Sequence, residues 1–334
     1  ALYPIFGERI WGWPGHIIDI LAIFATLFGL ATSLGYGAEQ ASGGLNYLFE
    51  LPTGDYTNIV LVAIITGLAL ISVVRGLDGG IKRLSEINMV LAVILGLFVL
   101  FMTPVMETLG YFFRYSLAYL EYLPVLSSWS GREDYYFMHD WTTFYWSWWI
   151  AFSPFVGMFI ARISTGRTVR EFVLGALLAP SLIFMLWMTI FGHTAILQFF
   201  EEDVTAVAES VRNFQPELTL FIFLEQFPGS LITSILGLFL VIIFFVTSMD
   251  SGSLVVDTMA AGGKIKTPLF QRIFWCISLG MIGIALLLGG GLSSVQALSL
   301  ASAFPFTLII ILMTISLLLG LIREHQLLRA EQSG

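Results

Sequence analysis

A dense group of aromatic side chains occupies residues 140–157, and these side chains suggest binding chemistry most directly. Four of the nine tryptophans lie within nine positions of this stretch: Trp141, Trp146, Trp148 and Trp149. Helical spacing of three or four places one set of rings on a single face, with Trp149 beside it: Trp148, Phe152, Phe155 and Phe159. Electron-rich rings can hold a quaternary ammonium group at about 0.5 to 2 kcal/mol for each contact. The pattern predicts a cation-binding cavity, with a packed aromatic core as the alternative.

The same stretch continues into a pair of helix-weakening residues, Pro154 and Gly157. We expect the helix to be interrupted at Ser153-Pro154, which would free backbone carbonyls. Irregular backbone inside a membrane is tolerated only where it is buried in protein or lines a cavity. Broken helices carry the binding sites of many secondary transporters, so this interruption favours a site beside the rings.

A second group of polar side chains ends an apolar run at residues 244–253 and includes Thr247, Ser248 and Asp250. Hydroxyl and carbonyl oxygens suit a hard cation such as Na+. An ionisable residue near the end of a span is a functional candidate, and we expect Asp250 to bond backbone or an arginine at a cytoplasmic gate. The alternative is a helix end with Asp250 in water. Thr26 or Thr32 could offer a further oxygen, although their Gly/Ser/Thr/Ala-rich stretch also suits close helix packing.

The elements that must position these residues are membrane helices. The chain of 334 residues is 57% hydrophobic and 11% charged, with a mean hydropathy of +0.88, whereas soluble domains carry about 25% charged residues. A span needs about 20 apolar residues, and continuous runs favour helices over barrel strands. Eight spans are predicted, at 16–36, 57–75, 86–104, 141–161, 171–194, 230–250, 271–290 and 296–322.

The basic residues give these spans a direction, because Lys and Arg accumulate in cytoplasmic loops. With residue 1 inside, 12 of the 15 basic residues fall on the inner side: Arg9, Arg75, Lys82, Arg83, Arg162, Arg167, Arg170, Lys264, Lys266, Arg272, Arg323 and Arg329. The outer loops hold only Arg114, Arg132 and Arg212. This alternation predicts that both ends of the chain are cytoplasmic.

The outer loops differ in character. Residues 105–123 are aromatic with sparse charge, which predicts an interfacial helix. Residues 201–217 carry five acidic side chains, Glu201, Glu202, Asp203, Glu209 and Glu217. We interpret them as a solvated loop, with attraction of cationic solutes as the alternative. A second interfacial helix is predicted at 217–227, and the tail after Arg323 is too short to fold alone.

Several functions are disfavoured by the sequence. It contains no Walker loop for ATP, and its four histidines are scattered without metal-ligand or nucleophile–base spacing. The single Cys276 allows no disulfide framework, and no basic cluster points to nucleic acid. We therefore expect neither an enzyme nor a cofactor-dependent protein.

Two long motifs resemble the signature of the betaine/choline/carnitine transporter (BCCT) family. They are Asp-Trp-Thr-Thr-Phe-Tyr-Trp-Ser-Trp-Trp at 140–149 and Ser-Pro-Phe-Val-Gly-Met-Phe-Ile-Ala-Arg-Ile-Ser-Thr-Gly-Arg-Thr-Val-Arg-Glu at 153–171. The stretches Ala-Thr-Leu-Phe-Gly-Leu-Ala-Thr-Ser-Leu-Gly, Phe-Val-Thr-Ser-Met-Asp-Ser-Gly and the initial Ala-Leu-Tyr-Pro are similar too. The resemblance implies an all-α, polytopic, LeuT-like fold of two inverted five-helix repeats, of which this chain would hold spans five to twelve as part of a longer protein.

By this resemblance the chain is one transmembrane transporter domain, residues 1–334. Residues 1–104 would be the last three helices of the first repeat, and 105–139 an interfacial helix with an outer loop. Residues 140–322 would form the second repeat, and 323–334 a cytoplasmic tail.

The resemblance also assigns roles residue by residue. Trp148 and Trp149 would form a cage for trimethylammonium groups, with Trp146 beside them and Phe152 where betaine carriers often have a third tryptophan. The ion-binding residues would be Phe244, Thr247, Ser248, Thr26 and Phe155, although Leu30 stands where a partner of Thr26 is expected. Phe159 would be a gating ring, and Asp250 belongs to the proposed gate.

The implied function is secondary transport in a bacterial inner membrane. The substrate would be betaine, choline, carnitine or a related quaternary-ammonium or zwitterionic osmolyte, and the coupling ion Na+ or H+. An ion-independent exchanger is the nearest alternative, and a channel or non-transporting sensor on the same fold is another. The family resemblance also implies a homotrimer as the oligomeric state.

Overall fold

The computed structural model describes residues 1–75, 82–200, 204–213, 215–264 and 266–333, and within these ranges the chain forms helices and no strands. The all-α fold class is thus confirmed for the described residues. The helices are α1 (Tyr3–Phe6), α2 (Trp13–Phe49), α3 (Asp55–Arg75), α4 (Lys82–Phe101), α5 (Val105–Ser127), α6 (Phe144–Ile163), α7 (Val169–Phe200), α8 (Ala206–Arg212), α9 (Pro216–Glu225), α10 (Ser230–Ala260) and α11 (Leu269–Ser333).

Seven helices in the described ranges are long and apolar enough to cross a membrane. The last of them, Leu269–Leu327, contains both the seventh and the eighth predicted span. Its backbone leaves helical geometry at Gly290 and Gly291, where Gly291 has φ 65° and ψ −151°, a conformation that is essentially restricted to glycine. The count of eight crossings stays a prediction.

Helix α2 lies at the centre of the bundle and contacts α3, α6, α9, α10 and α11. It continues 13 residues beyond the predicted end at residue 36, because Gly37, Ala38, Ala41 and Ser42 are buried by neighbouring helices. A Cβ on Gly37 would lie 2.3 Å from the ring of Phe245 in α10. Small residues therefore bring these helices together, as predicted for close packing.

Helix α10 corrects the expectation that residues 244–253 end a helix. The helix continues to Ala260, and Asp250 lies inside it, in its second half, with no exposed surface. The helix end predicted from hydropathy is too early, because the polar residues Ser253 and Asp257 are fully buried against neighbouring helices instead of facing water.

Helix α6 corrects the predicted interruption at Ser153-Pro154, because the helix is continuous from Phe144 to Ile163 with Pro154 inside it. A proline in a helix removes the N–H that would bond the carbonyl four residues earlier, which here is that of Ile150. The Ser153 hydroxyl donates to the Ile150 carbonyl oxygen at 2.7 Å. The serine thus replaces the missing backbone donor, and the carbonyl is not left free.

Besides the bend in α11, irregular helical geometry in the described residues lies in π-helical segments at Phe137–Thr143, Leu174–Leu178 and Thr189–His193. The last of these carries the buried His193, whose Nδ1 is hydrogen-bonded to the Tyr115 hydroxyl of α5 at 2.8 Å. Burial raises the pKa of Tyr115. The contact anchors α5 to α7.

The two predicted interfacial helices both exist as helices. Helix α5 is not among the candidate spans, in line with the predicted exclusion of 105–123 from the crossings. Helix α9 buries Phe221, Phe223 and Leu224 against its neighbours, and it contacts α2 and α10. The acidic loop contains the short helix α8, while Glu201, Glu202 and Asp203 lie outside the described residues.

Candidate functional site

The site is built around Trp148, whose indole is fixed by two helices. Its Nε1–H donates to the carbonyl oxygen of Gly29 in α2 at 3.0 Å. This bond needs a close approach of the two backbones, and a Cβ on Gly29 would lie 3.2 Å from the backbone of Ala151 and Phe152. The glycine therefore sets the depth at which Trp148 sits.

Three further rings surround Trp148. Tyr36 of α2 stacks on it with ring centroids 5.6 Å apart, and Phe144 and Tyr145 of α6 lie at 5.8 and 5.7 Å. These distances are in the range for interacting aromatic pairs. We call Tyr36, Phe144, Tyr145 and Trp148 the aromatic cluster; it presents electron-rich ring faces of the kind that attract a cation.

The other predicted substrate tryptophans lie on a different side of α6. Trp146 is 66% exposed and Trp149 is 62% exposed, and among the described residues neither ring stacks on Trp148. Adjacent helical positions differ by about 100° in direction, so Trp148 and Trp149 face different neighbours. The structure therefore brings Trp148 into the aromatic cluster and leaves Trp146 and Trp149 outside it.

The phenylalanines that follow are packed in the core. Phe155 is buried, and Phe152 and Phe159 lie against the same apolar cluster, which includes Leu27 and Met249. The rings of Phe152 and Phe155 meet edge to face at 5.0 Å, and those of Phe155 and Phe159 are 6.3 Å apart. Packing of this kind matches the aromatic-core alternative for this part of α6.

A half-open cavity of about 1030 Å³ lies beyond these rings. Its lining includes Ser153, Pro154 and Gly157 of α6, and also Asp19 and His16 of α2. The cavity touches the helix-weakening residues, but neither the aromatic cluster nor Trp149 lines it. Tyr3 also lines the cavity, and the rest of its wall is mostly apolar.

The predicted ion-binding residues are distributed over α2, α6 and α10. Thr26 is fully buried, and its hydroxyl has no hydrogen-bond partner among the described residues. The Thr247 hydroxyl lies 3.0 Å from the carbonyl oxygens of Ile243 and Phe244 in its own helix. A hydroxyl that donates its proton in this way keeps lone pairs for a cation. Ser248 is half-buried, and the Phe244 ring is 51% exposed.

Asp250 points into a different place, between α3, α10 and α11. Its carboxylate is approached by Ser72 and Arg272, but within the described residues no hydrogen bond is formed, and the guanidinium Nε and Nη2 of Arg272 are equally unpartnered. Arg272, which is partly buried, is therefore a charged neighbour of the fully buried Asp250. The predicted bond between Asp250 and an arginine is not formed among the described residues.

The loop that leads into the aromatic stretch is held by Arg132. Its Nε donates to the Asp134 carboxylate at 2.7 Å, its Nη1 donates to the Leu126 carbonyl at 2.8 Å, and its guanidinium lies 5.7 Å from the Phe137 ring centroid. The hydrogen bonds from Arg132 lower the pKa of Asp134.

In the ranges that the structure describes, no group of three or more His, Cys, Asp or Glu side chains could hold a metal ion.

Three ring partners of Trp148 were not predicted from the sequence. Phe144 and Tyr145 lie four and three positions before Trp148, so helical spacing contains a signal for them. Tyr36 lies 112 residues before Trp148 in another helix. No local pattern identifies it, because its contact exists only once α2 and α6 are packed.

The helices define a multi-pass membrane protein, and the family model covers almost the whole chain. Residues 1–326 match the model described as BCCT, betaine/carnitine/choline family transporter. The chain belongs to this family, whose members are transporters rather than enzymes.

Curated relatives agree with this assignment. The chain is 54% identical over 97% of its length to a glycine betaine/proline/choline transporter of Vibrio parahaemolyticus, of which it covers 58%. It is 46% identical over 97% of its length to glycine betaine transporter 1 of the same organism, covering 62% of it. It is 39% identical over 98% of its length to the glycine betaine transporter OpuD of Bacillus subtilis, covering 63% of it. The chain therefore spans roughly three fifths of the length of these relatives.

Proposed function

We propose that the protein is a secondary transporter that imports glycine betaine, choline, carnitine or a related quaternary-ammonium osmolyte. The observation that carries this proposal is the aromatic cluster around Trp148, in a chain whose relatives are named as transporters of glycine betaine and choline. A methylated ammonium is large and weakly hydrated, so stacked ring faces attract it without requiring a buried counter-charge.

Trp148 is the central binding ring in this proposal. Tyr36, Phe144 and Tyr145 hold it, and the substrate approaches its remaining surface. Trp149, Trp146 and Phe152 remain proposed substrate contacts by family resemblance.

Coupling to Na+ or H+ is the second part of the proposal. Thr247 and Ser248 supply hydroxyl oxygens, Phe244 a carbonyl, and Thr26 a buried hydroxyl with free lone pairs. Phe155 lies beside the proposed ion site and Phe159 is the proposed gating ring. The fully buried Asp250 and the partly buried Arg272 are neighbouring charges that a change between inward- and outward-facing states would rearrange.

The proposed arrangement in the membrane is a LeuT-like one with eight crossings, in which 1–104 and 140–322 belong to two inverted repeats. Both ends lie in the cytoplasm of a bacterial cell, and the protein sits in the inner membrane as a homotrimer. The bend at Gly290–Gly291 supports two crossings within α11, because it separates the two predicted spans there.

Uptake of labelled glycine betaine and choline by the full-length protein in proteoliposomes tests the proposal. Trp148→Leu should reduce uptake at least tenfold, since it removes the central ring. Trp129→Leu is the matched control, because Trp129 is 80% exposed and lies outside the aromatic cluster. Near-normal uptake by the Trp148 variant would remove the cluster from the binding site.

The gradients separate the coupling modes. Uptake that requires a Na+ gradient supports the sodium site, and uptake that follows a proton gradient supports H+ coupling. Uptake that ignores both gradients but needs substrate inside the vesicles identifies an exchanger. Binding without uptake identifies a sensor and contradicts the transport proposal.

A further inference from the structure

Three hydrogen bonds tie α2 to its neighbours along one face. Trp148 Nε1 donates to the Gly29 carbonyl, and Gln296 Nε2 donates to the Tyr36 hydroxyl. The Thr32 hydroxyl is shared between the Val295 carbonyl at 3.2 Å and the Phe28 carbonyl of its own helix at 2.8 Å. Positions 29, 32 and 36 are spaced by three and four, so they lie on one side of the helix. The first bond reaches α6, and the other two reach α11 just after its bend.

Of the three α2 residues in these bonds, only Tyr36 also belongs to the aromatic cluster. Its ring centroid is 5.6 Å from that of Trp148 and 5.9 Å from that of Phe144. Its hydroxyl at the far end of the ring is held by Gln296. The position of the ring is therefore set from α11, although the ring acts within the α2–α6 cluster.

We propose that Tyr36 and Gln296 are positioning residues of the substrate site, which act together to hold Trp148 in the geometry that binds the methylated ammonium. This inference rests on the proposed function and names two residues that the family motifs at 140–171 do not contain. The bond restrains rotation of the Tyr36 ring, and the ring in turn covers one face of Trp148. Without the bond between Tyr36 and Gln296, Trp148 keeps its bond to Gly29 but loses a fixed neighbour.

The bend at Gly290–Gly291 gives this bond a further consequence. Gln296 lies five residues after Gly291, in the part of α11 that follows the break in helical geometry. A movement of this part of α11 would act on Trp148 through Tyr36. The aromatic cluster is thus connected to a helix that contributes no ring to it.

The test compares Tyr36→Phe and Gln296→Leu in the full-length protein. A neutral hydrogen bond contributes about 0.5 to 1.5 kcal/mol, so each variant should raise the KM for glycine betaine uptake by about two- to tenfold. The maximal rate should stay within about twofold of the parent. The double variant should be no worse than the more affected single one, because both remove the same bond.

Tyr47→Phe is the matched control. Tyr47 lies on the same helix, stacks on Phe221 at 5.9 Å and interacts through its hydroxyl with Glu225, but it is remote from Trp148. Its KM should equal that of the parent. Gln296→Glu should restore much of the affinity, because a carboxylate can accept a hydrogen bond from the Tyr36 hydroxyl.

A second measurement does not depend on transport. Oxidation of Trp148 by N-bromosuccinimide, followed by peptide mass spectrometry, reports how well the indole is covered. Tyr36→Phe and Gln296→Leu should increase Trp148 oxidation, and Tyr47→Phe should not. Parent-like oxidation and a parent-like KM in both variants would overturn the positioning role. A third outcome separates the two proposals. If the parent protein transports none of the substrates but both variants still increase Trp148 oxidation, the proposed function is contradicted and the positioning of Trp148 is supported.

Discussion

Trp148 and Gly29 show how a ring is positioned by a residue without a side chain. The indole N–H reaches the Gly29 carbonyl because α2 and α6 approach closely at this point. A buried indole N–H without an acceptor would be unfavourable by about 1 to 3 kcal/mol. The geometry of the candidate site therefore depends as much on the glycine as on the tryptophan.

Gly29→Ala should consequently destabilise the protein and disturb the site. The new Cβ would lie 3.2 Å from the backbone of Ala151 and Phe152, and overpacking of this kind costs about 1 to 3 kcal/mol. Thermal unfolding in detergent should show a lower Tm, and substrate affinity should fall as Trp148 shifts.

Gly67→Ala is the control for that substitution. Gly67 lies in α3, and its Cβ would meet no atom within 4 Å, so the gain in helix propensity should leave Tm unchanged or slightly raised. Equal behaviour of the two alanine variants would show that the α2–α6 contact tolerates a methyl group and would contradict the close-approach argument.

At the scale of the element, α6 explains how a proline can stay inside a continuous membrane helix. Pro154 removes the donor for the Ile150 carbonyl, and the Ser153 hydroxyl supplies one at 2.7 Å. Water is absent from the bilayer core, so the carbonyl needs a partner within the protein. The Ser-Pro pair is in this respect one structural unit.

A double-mutant comparison tests this unit. Ser153→Ala should lower the stability by about 1 kcal/mol, because it leaves the Ile150 carbonyl without a donor. In a Pro154→Ala background the backbone N–H returns, and the same serine substitution should then have little effect. Thermal unfolding of the four proteins measures both differences. An equal loss in the two backgrounds would mean that the serine stabilises the helix by another route.

At the scale of the whole molecule, the bend of α11 decides how the chain crosses the membrane. If α11 crosses twice, the total is eight and both ends lie on the same side. If it crosses once, the described helices give seven candidate crossings and the ends lie on opposite sides. The distribution of basic residues favours eight crossings.

Single cysteines at exposed positions distinguish these topologies. In a Cys276→Ser background, Glu8→Cys, Thr165→Cys and Gln326→Cys should react with a membrane-impermeant maleimide only from the cytoplasmic side. Ser130→Cys should react only from the outer side. All four positions are exposed. Labelling of Gln326→Cys from the outer side, with Glu8→Cys still inside, would exclude eight crossings.

The sequence by itself determined the class of the protein, its membrane helices and one ring of the candidate site, Trp148. Composition and continuous apolar runs specify membrane helices because the bilayer requires every backbone group to be bonded within its own segment. Trp148 could be selected because its neighbours on α6 follow helical spacing, and the family motifs surround it. These are local properties of the chain, so a linear pattern contains them.

Only the tertiary structure decided which side chains meet. Tyr36 and Gln296 are 260 residues apart, and no spacing connects them until α2 packs against α11. The same holds for the ends of α2 and α10, which continue past the hydropathy limits because other helices bury their small and polar residues. The Ser153 hydroxyl closes the predicted break in α6, and Trp148 and Trp149 point to different neighbours. The Ser153 bond is local to α6, but each of the other outcomes depends on a partner outside the local pattern, which only packing brings into place.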